Sequence, residues 1–322
     1  MSNHNYGRFL RPLIEALLDQ THDNVEIVVV DDGSTDDSRE VLREYEGRII
    51  VALQDQAGQA AACNRAFSLS SGDIVVFHDS DDVVRAGYAA SLVDAFADPK
   101  VMMAMTRLDV VDAQGNPTGD HRPPAACPLV GGDLRSLVLD RCSFFWPETT
   151  GQAYRRSFLA AALPIPDKSP PDGYFSYLAA MAGPVSVIDR PVACYRAHDR
   201  NKHLAPLAHG VAWLDERIEQ REVLYARMRS YGLTIDVFDD AAAAAHWAPR
   251  DYIMVSLLAA RCRLSRERGR WRYAWSGVRA IAGHPQFRFV GRLRHVVWFA
   301  STAILPLPLV RRSIAPRFPQ AQ

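Results

Sequence analysis

Three carboxylates follow a short apolar stretch near residue 75. Ile74 to Phe77 are apolar, and Asp79, Asp81 and Asp82 come soon after them. The run predicts a short buried strand, and in open α/β sheets ligands bind at the carboxyl ends of the strands. Asp79 and Asp81 point the same way on an extended backbone, and carboxylate oxygens suit Mg²⁺ or Mn²⁺. The alternative is a solvated turn in which Asp81 or Asp82 caps the next helix.

A second acidic pair, Asp31 and Asp32, also follows an apolar segment. Residues 25–30 are rich in β-branched side chains, which predicts a buried parallel strand. These acids would therefore face the same sheet edge as the first cluster. A carboxylate at that edge can accept a hydrogen bond from a nucleobase N–H, whereas the alternative is an Asx-turn capping the helix that starts at Ser34. Gly58, on the next loop, allows a nucleotide to approach the backbone closely.

Helical and strand patterns alternate over the first hundred residues, which predicts a parallel, doubly wound sheet. The alternation then breaks, and residues 112–116 have the composition of a hairpin turn. Long helical patterns fill the carboxyl-terminal part, and the segment 286–300 is amphipathic. We therefore predict an α/β domain over residues 1–205 and a helical, arginine-rich extension over 206–322.

The formal net charge of zero hides a strong asymmetry. From residue 241 onward the chain has fourteen arginines, no lysine and two acidic residues, a net charge of +12. Together with the amphipathic segment 286–300, this predicts binding to an anionic membrane surface; the alternative is a solvated helical appendage. The five cysteines form no CxxC pair, which favours neither a zinc site nor a disulfide framework. We expect neither a signal peptide nor a membrane span.

The order and spacing of several motifs resemble the family 2 glycosyltransferases over roughly residues 3–201. The resemblance implies an α/β, GT-A fold, a Rossmann-like mixed sheet flanked by helices, here followed by the helical extension. It also implies that the first strand is missing, because the chain begins where the family has already built that strand. The matching segments are Tyr6–Leu10, Val28–Ser38, Gly58–Asn64, Asp79–Asp82, Pro171–Tyr174, Ala182–Val185, Tyr195–His198 and Asn201.

The resemblance implies that a sugar is transferred, with inversion, from a nucleotide diphosphate donor. Asp32 or Asp31 would hold the nucleobase, with Gly58 beside the nucleotide. Asp79 would contact the ribose or its waters, and Asp81, its neighbour on the same strand end, would bind a Mn²⁺ or Mg²⁺ ion that bridges the diphosphate.

Two further residues receive roles from the resemblance. Asp172 occupies the place of the catalytic base, and its alternative is a helix N-cap after two prolines. His198 would approach the metal or the diphosphate, and its alternative is a packed or solvent-facing histidine. One base suffices for a single displacement, because the acceptor hydroxyl must lose one proton.

The implied partners are a UDP-, dTDP- or GDP-sugar and a saccharide or lipid-linked acceptor, with no nucleic acid. The expected setting is cell-surface polysaccharide synthesis in the cytoplasm, at the inner face of the plasma membrane. Two other functions stay open. A haloacid dehalogenase-type phosphatase would use Asp79 as its nucleophile, although its second acidic pair should follow the first in sequence. A non-catalytic relative would bind the nucleotide sugar without turning it over.

Overall fold

The computed structural model describes residues 1–142, 144–199, 201, 210–235, 251–265, 269–282, 284 and 289–304. The chain divides into two compact units. Unit 1 comprises Met1–Ala125, Leu129–Leu134 and Trp146–His198, and unit 2 comprises Ala126–Pro128, Arg135–Phe145 and the described residues from Asp199 onward. The predicted boundary at residue 205 lies outside the described residues and stays a prediction.

Unit 1 contains all eleven strands described. They are β1 (Ser2–Asn3), β2 (Val28–Asp32), β3 (Ile50–Gln54), β4 (Ile74–Val75), β5 (Val83–Val84), β6 (Met103–Thr106), β7 (Leu108–Val111), β8 (Pro117–Arg122), β9 (Gln152–Arg155), β10 (Val185–Ile188) and β11 (Ala193–Arg196).

The helices of unit 1 lie between these strands, and those of unit 2 follow them in the chain, apart from one. Unit 1 has α1 (Gly7–Leu18), α2 (Ser38–Arg43), α3 (Gln59–Leu69), α4 (Tyr88–Ala95), α6 (Arg156–Ala162), α7 (Pro171–Ala182) and a 3₁₀ helix (Thr149–Gly151). Unit 2 has α5 (Arg135–Arg141), α8 (Gly210–Thr234), α9 (Tyr252–Leu264), α10 (Arg270–Ala282) and α11 (Phe289–Ile304).

The strands of unit 1 form three sheets, of which one is parallel and two are mixed. The first has the order β1-β2-β3, the second β10-β6-β9-β4 and the third β5-β11-β7-β8. β9 is antiparallel to both β4 and β6, which breaks the parallel pattern that the first hundred residues predict. The mixed α/β architecture flanked by helices is therefore confirmed. The parallel pattern predicted from the first hundred residues holds for β1, β2 and β3 but not for β4.

The apolar patterns explain why the first elements form where they do. All five residues of β2 are buried, because the strand lies between β1 and β3 and α3 packs against it. In α1 the buried side chains recur at helical spacing, with Phe9, Leu13 and Leu17 among them. The predicted hairpin at 112–116 is confirmed, since β7 and β8 are antiparallel neighbours on either side of it.

The prediction that the first strand is missing needs correction. Ser2 and Asn3 form a short strand that pairs in parallel with Val30 and Asp31 of β2. Ser2 also forms a parallel bridge with Asp79, so this short strand stands between the two acidic stretches. The reason is local: the backbone groups on this edge of β2 need partners, and residues 2–3 supply them.

The predicted strand 74–77 is also shorter and less buried than expected. Only Ile74 and Val75 are in a strand, both are half-buried, and they pair with β9 on one edge alone. Their other edge faces a cavity of 510 Å³ whose lining includes residues 25–28 on the side of β2. The missing neighbour on that edge explains why burial is incomplete.

Candidate active site

Asp31 is buried at the end of β2 and already has three hydrogen-bond donors. Its carboxylate accepts from Asn3 Nδ2 at 3.0 Å, from the Ser34 backbone N–H at 3.2 Å and from Arg39 Nε at 3.0 Å. Burial on its own raises the pKa of Asp31, but the hydrogen bonds from Ser34, Arg39 and Asn3 outweigh it and the pKa lies below its ordinary value. Asp31 therefore stabilises the loop after β2.

Asp32 holds the loop that leads into α3. Its Oδ1 accepts from Gln54 Nε2 and from the Ala57 N–H, both at 2.7 Å, and its Oδ2 accepts from the Gly58 N–H at 2.8 Å. Gly58 has φ +95, and a Cβ atom built there would meet no atom within 4 Å. The backbone at Gly58 thus borders open space beside Asp32, and its positive φ is a conformation that favours glycine.

The acidic stretch that follows β4 rests on the 3₁₀ helix. The Thr149 hydroxyl donates to Asp79, and the Asp79 N–H donates to Thr150 Oγ1 at 3.3 Å. Tyr88 in turn donates to the Thr150 carbonyl oxygen at 2.7 Å. Gln59 Nε2, in the first turn of α3, donates to Asp79 Oδ1 at 3.2 Å. The stretch is therefore held directly by the 3₁₀ helix and by α3, and α4 in turn holds the 3₁₀ helix.

His198 is brought to the acidic stretch from the other end of unit 1. Its Nε2 lies 2.9 Å from Asp81 Oδ2, and its side chain is buried. The imidazole ring packs against two aromatic rings of the first motif, with ring centroids 5.6 Å from Tyr6 and 5.0 Å from Phe9. His198 is thus both the packed histidine of the alternative prediction and a direct partner of Asp81.

Arg196, at the end of β11, fixes the backbone around the acids. Its Nε donates to the Asp81 carbonyl oxygen at 2.8 Å, and its backbone N–H donates to Asp82 Oδ1 at 3.0 Å. The Arg196 guanidinium lies 5.0 Å from the centre of the Phe9 ring. Asp82 is therefore engaged by the chain itself, whereas Asp81 presents its carboxylate toward His198.

Asp172 lies in the first turn of α7, with Pro170 as the preceding cap residue. It is buried, and its carbonyl oxygen accepts a hydrogen bond from Ser176. The negative charge of Asp172 raises the pKa of Asp79 and of Glu148. The ring of Phe175, also in α7, stacks on that of Phe77 with 5.3 Å between centroids, which brings α7 to the acidic stretch although it comes some ninety residues later in sequence.

Burial, together with neighbouring negative charges, raises the pKa of two carboxyl groups in this cluster. Burial raises the pKa of Asp79 well above its ordinary value, and the charges of Asp81 and Asp172 raise it further. Burial likewise raises the pKa of Asp82, and the charges of Asp81 and Asp79 add to the effect. Carboxylates this close favour a shared proton or a cation. Among the described residues no three histidine, cysteine, aspartate or glutamate side chains converge to hold an ion by themselves.

The sequence motifs did not reveal Glu148, Thr149 and Thr150, which lie in a stretch that reads only as aromatic and irregular. Burial raises the pKa of Glu148 to about 7; the positive charge of Arg122 opposes this shift, and the charge of Asp172 adds to it. The Arg122 Nε atom lies 3.8 Å from Glu148 Oε1. A glutamate followed by two threonines and a glycine is a weak signal in sequence, because the contacts of these residues with the acidic stretch exist only in the folded protein.

We expect the stability of the protein to fall as the pH rises through the pKa of Glu148. The protonated carboxyl group suits its half-buried site, so its contribution to stability is complete below about pH 4.5 and is lost as the pH rises through about 7. The loss is at most roughly 3 kcal/mol. Urea unfolding of the wild type and of Glu148→Gln from pH 4 to 8 measures it. The difference in free energy of unfolding between the two proteins should narrow at low pH. A difference that stays constant from pH 4 to 8 would contradict a raised pKa for Glu148.

Gly151 closes the 3₁₀ helix at a position with no room for a side chain. A Cβ atom there would lie 2.6 Å from Pro147 Cβ and 2.7 Å from the Thr106 carbonyl oxygen. We expect Gly151→Ala to lower the free energy of unfolding by about 1–3 kcal/mol. Gly87→Ala is the matched control, since its nearest atom, in Arg190, lies 3.9 Å away. Equal unfolding midpoints in the two variants would show that the backbone yields without cost.

Comparison with protein families identifies the amino-terminal half. Residues 1–159 match the model of glycosyl transferase family 2. An uncharacterized glycosyltransferase of Nostoc sp. (strain PCC 7120) is 34% identical over 213 residues, which are 64% of this chain and 66% of that protein. The putative teichuronic acid biosynthesis glycosyltransferase TuaG of Bacillus subtilis is 38% identical over 84 residues, 25% of this chain and 33% of that protein. The chain thus spans slightly less than two thirds of the first relative and a third of the second.

Solved structures share the fold at low sequence identity. Residues 1–349 of S. aureus TarS, in complex with UDP-GlcNAc, superpose with a TM-score of 0.57 at 17% identity, covering 100% of this chain and 90% of that one. The mannosyltransferase PcManGT of Pyrobaculum calidifontis, in complex with GDP-Man and Mn²⁺, gives a TM-score of 0.51 at 18% identity, covering 98% and 84%. The fold is the GT-A fold, and the amino-terminal half of the chain, residues 1–159, belongs to glycosyl transferase family 2.

Proposed function

We propose that this protein is an inverting, metal-dependent glycosyltransferase that moves a sugar from a nucleoside diphosphate to a saccharide or lipid-linked acceptor. The observation that carries the proposal is the meeting of acids from separate parts of the chain. Asp79 and Asp81 follow β4, and Asp172 opens α7 close enough to raise the pKa of Asp79. His198 joins them through Asp81. Such a cluster of acids can hold a divalent cation, and the cation neutralises the negative charge of a nucleoside diphosphate.

The nucleotide half of the donor would lie beside the end of β2. Asp32 has two carboxylate oxygens engaged by three donors, and its remaining lone pair can accept a base N–H. Asp31 is a weaker candidate, since Asn3, Ser34 and Arg39 already hold it in place. Open space at Gly58 suits the close approach of a nucleotide. The neighbours TarS and PcManGT were solved with UDP-GlcNAc and GDP-Man, which supports a nucleotide-sugar donor here.

The residues around Asp81 fit a Mn²⁺ or Mg²⁺ ion that is completed by the donor. Such ions are commonly bound through one or two carboxylates together with substrate phosphates, so a site of three protein ligands is not required. The pKa values of Asp79 and Asp82 are raised by burial first and by the neighbouring carboxylates second, and a bound cation would offset both effects. Asp81 and Asp79 would hold the ion, with His198 at its edge. When bound, the ion neutralises charge that develops on the departing diphosphate.

Asp172 is our candidate for the base of a single displacement. The acceptor oxygen forms a bond to the anomeric carbon as the bond from that carbon to the diphosphate oxygen breaks. The acceptor hydroxyl proton passes to the Asp172 carboxylate, and the nucleoside diphosphate leaves with the bonding electron pair. Attack from the side opposite to the leaving group inverts the anomeric carbon. Asp172 lies in the first turn of α7, where the helix dipole favours its charged form.

We further propose that the acceptor belongs to cell-surface polysaccharide synthesis, at the inner face of the plasma membrane. The similarity to TuaG, whose name assigns it to teichuronic acid biosynthesis, supports the acceptor class. The arginine-rich sequence after residue 240 supports the location. In the described part of the chain, each helix is either too short or too polar to cross a bilayer.

A donor screen tests the proposed function. Thermal shifts with UDP-, dTDP- and GDP-sugars, each with and without Mn²⁺, should single out one base and should require the ion. Donor hydrolysis should then depend on Mn²⁺ and on Asp81, whereas Asp120→Asn, on an exposed stretch of β8, should match the wild type. Release of inorganic phosphate from phosphomonoesters without sugar transfer would instead indicate the phosphatase. Donor binding with no turnover on any acceptor and no hydrolysis would indicate the non-catalytic relative.

A further inference from the structure

Two helices of unit 2 expose large apolar side chains at helical spacing. In α10, Trp271 and Trp275 are 60% and 59% exposed. In α11, Phe289, Leu293 and Val297 are 80%, 53% and 59% exposed. Residues four apart lie on the same side of a helix, so each set forms a stripe. We call these five residues the apolar stripes.

The other sides of the same helices are already used in packing. Ala274, Gly277 and Ala280 of α10 are on its inner side, and α10 packs against α11. A Cβ atom at Gly277 would lie 2.1 Å from a ring carbon of Phe299, so the two helices approach closely there. Phe299 itself is fully buried. The apolar stripes are therefore additional to the faces that hold the helices together.

The charged residues of the two helices themselves have one sign. The sequences of α10 and α11 contain Arg270, Arg272, Arg279, Arg292 and Arg294, and no acidic residue. Arg272, Arg279 and Arg294 are exposed. The Arg279 guanidinium lies 5.3 Å from the centre of the Trp275 ring, so a cation and an aromatic ring share one surface. A surface that combines exposed apolar side chains with arginines complements a ligand that has negative groups at its surface and an apolar layer below them.

We propose that the apolar stripes of α10 and α11 bind the headgroup and upper acyl region of an anionic lipid bilayer. Tryptophan side chains favour that region, and an amphipathic helix with arginines binds it by apolar burial together with attraction to anionic lipids. A second copy of the chain fits less well, since two such surfaces would bring arginines against arginines. The inference deepens the proposed location at a membrane and uses none of the residues assigned to the donor.

Vesicle sedimentation of the full chain tests the inference. We expect the protein to pellet with vesicles of phosphatidylcholine and phosphatidylglycerol in equal parts and to remain in solution with phosphatidylcholine vesicles, and added salt should weaken the binding. Trp275→Ser combined with Leu293→Ser should weaken the partition by about tenfold or more. Arg272→Gln and Arg294→Gln should each cost about fivefold. Leu233→Ser is the matched control, because Leu233 is a 42% exposed leucine of α8.

Three results would overturn the inference. They are failure of the wild type to bind anionic vesicles, equal binding by the Trp275/Leu293 variant, and a dimer in sedimentation velocity that the same substitutions dissociate. Donor hydrolysis measured without vesicles separates this inference from the proposed function. Variants that lose vesicle binding should keep hydrolysis, whereas a protein that binds vesicles but neither binds nor hydrolyses any donor would refute the proposed function alone.

Discussion

Asp172→Asn should reduce the rate of sugar transfer by a factor on the order of 10²–10⁴ and leave donor binding unchanged. The substitution keeps the shape of the side chain and removes only its capacity to accept the acceptor proton, which is what general base catalysis contributes. Asp172 is buried in the first turn of α7, so the asparagine can occupy the same place. The measurement is initial transfer velocity at saturating donor, with the donor dissociation constant from calorimetry.

Two variants control this experiment. Asp120→Asn removes an exposed carboxylate of β8 and should behave as the wild type. Glu148→Gln removes a second acid whose pKa responds to Asp172, and it should affect transfer less than Asp172→Asn does. Transfer by Asp172→Asn within tenfold of the wild type, with donor binding intact, would mean that another group accepts the proton.

Asp81→Ala should abolish the dependence of donor binding on Mn²⁺ and reduce transfer by roughly a thousandfold, because a cation contributes several kcal/mol of charge stabilisation. Of the three acids after β4, Asp81 is the one bonded to the imidazole of His198, at 2.9 Å. Its loss removes an oxygen ligand and leaves His198 without that partner. A titration of Mn²⁺ at fixed donor concentration, followed by hydrolysis, measures the effect.

His198→Gln distinguishes loss of the ion from loss of folding. Glutamine keeps a side-chain amide that can meet Asp81 but provides no imidazole between Tyr6 and Phe9. We expect it to retain more Mn²⁺-dependent hydrolysis than Asp81→Ala, with a lower unfolding temperature from the lost ring packing. Full activity of Asp81→Ala in the absence of added Mn²⁺ would remove the cation from the proposal.

Local patterns sufficed for most helices and strands of unit 1. The residues of α3 and α7 have a helical pattern in the sequence, since apolar spacing, a leading glycine or proline and the following turn residues all agree there. The strand at 74–77 was overestimated because four apolar residues in a row do not reveal which neighbours the backbone will find. Long-range pairing decides this, and β4 has β9 on one side only.

The candidate site was predictable where a single motif contained the chemistry. The carboxylates that follow β2 and β4 are visible from their positions after apolar runs. The residues that hold these carboxylates in place were not predictable, because Thr149 and Thr150 act through backbone and hydroxyl contacts that have no sequence pattern. Of the long helical patterns in the carboxyl-terminal part, residues 241–250 lie outside the described residues, and α9 begins at Tyr252. The amphipathic segment 286–300 is present as α11 from Phe289 onward.

Amide hydrogens on the two edges of β2 should exchange with deuterium at different rates. The Val29 N–H points to the edge of β2 that pairs with β3. The backbone groups of Val28 point to the opposite edge, where the Met1 nitrogen donates to the Val28 carbonyl oxygen at 2.6 Å. On that side the 510 Å³ cavity separates the strand from β4. Opening that begins beside Val28 therefore has few hydrogen bonds to break. The interior of unit 1, beside Val28, would then take up deuterium earlier than its burial suggests.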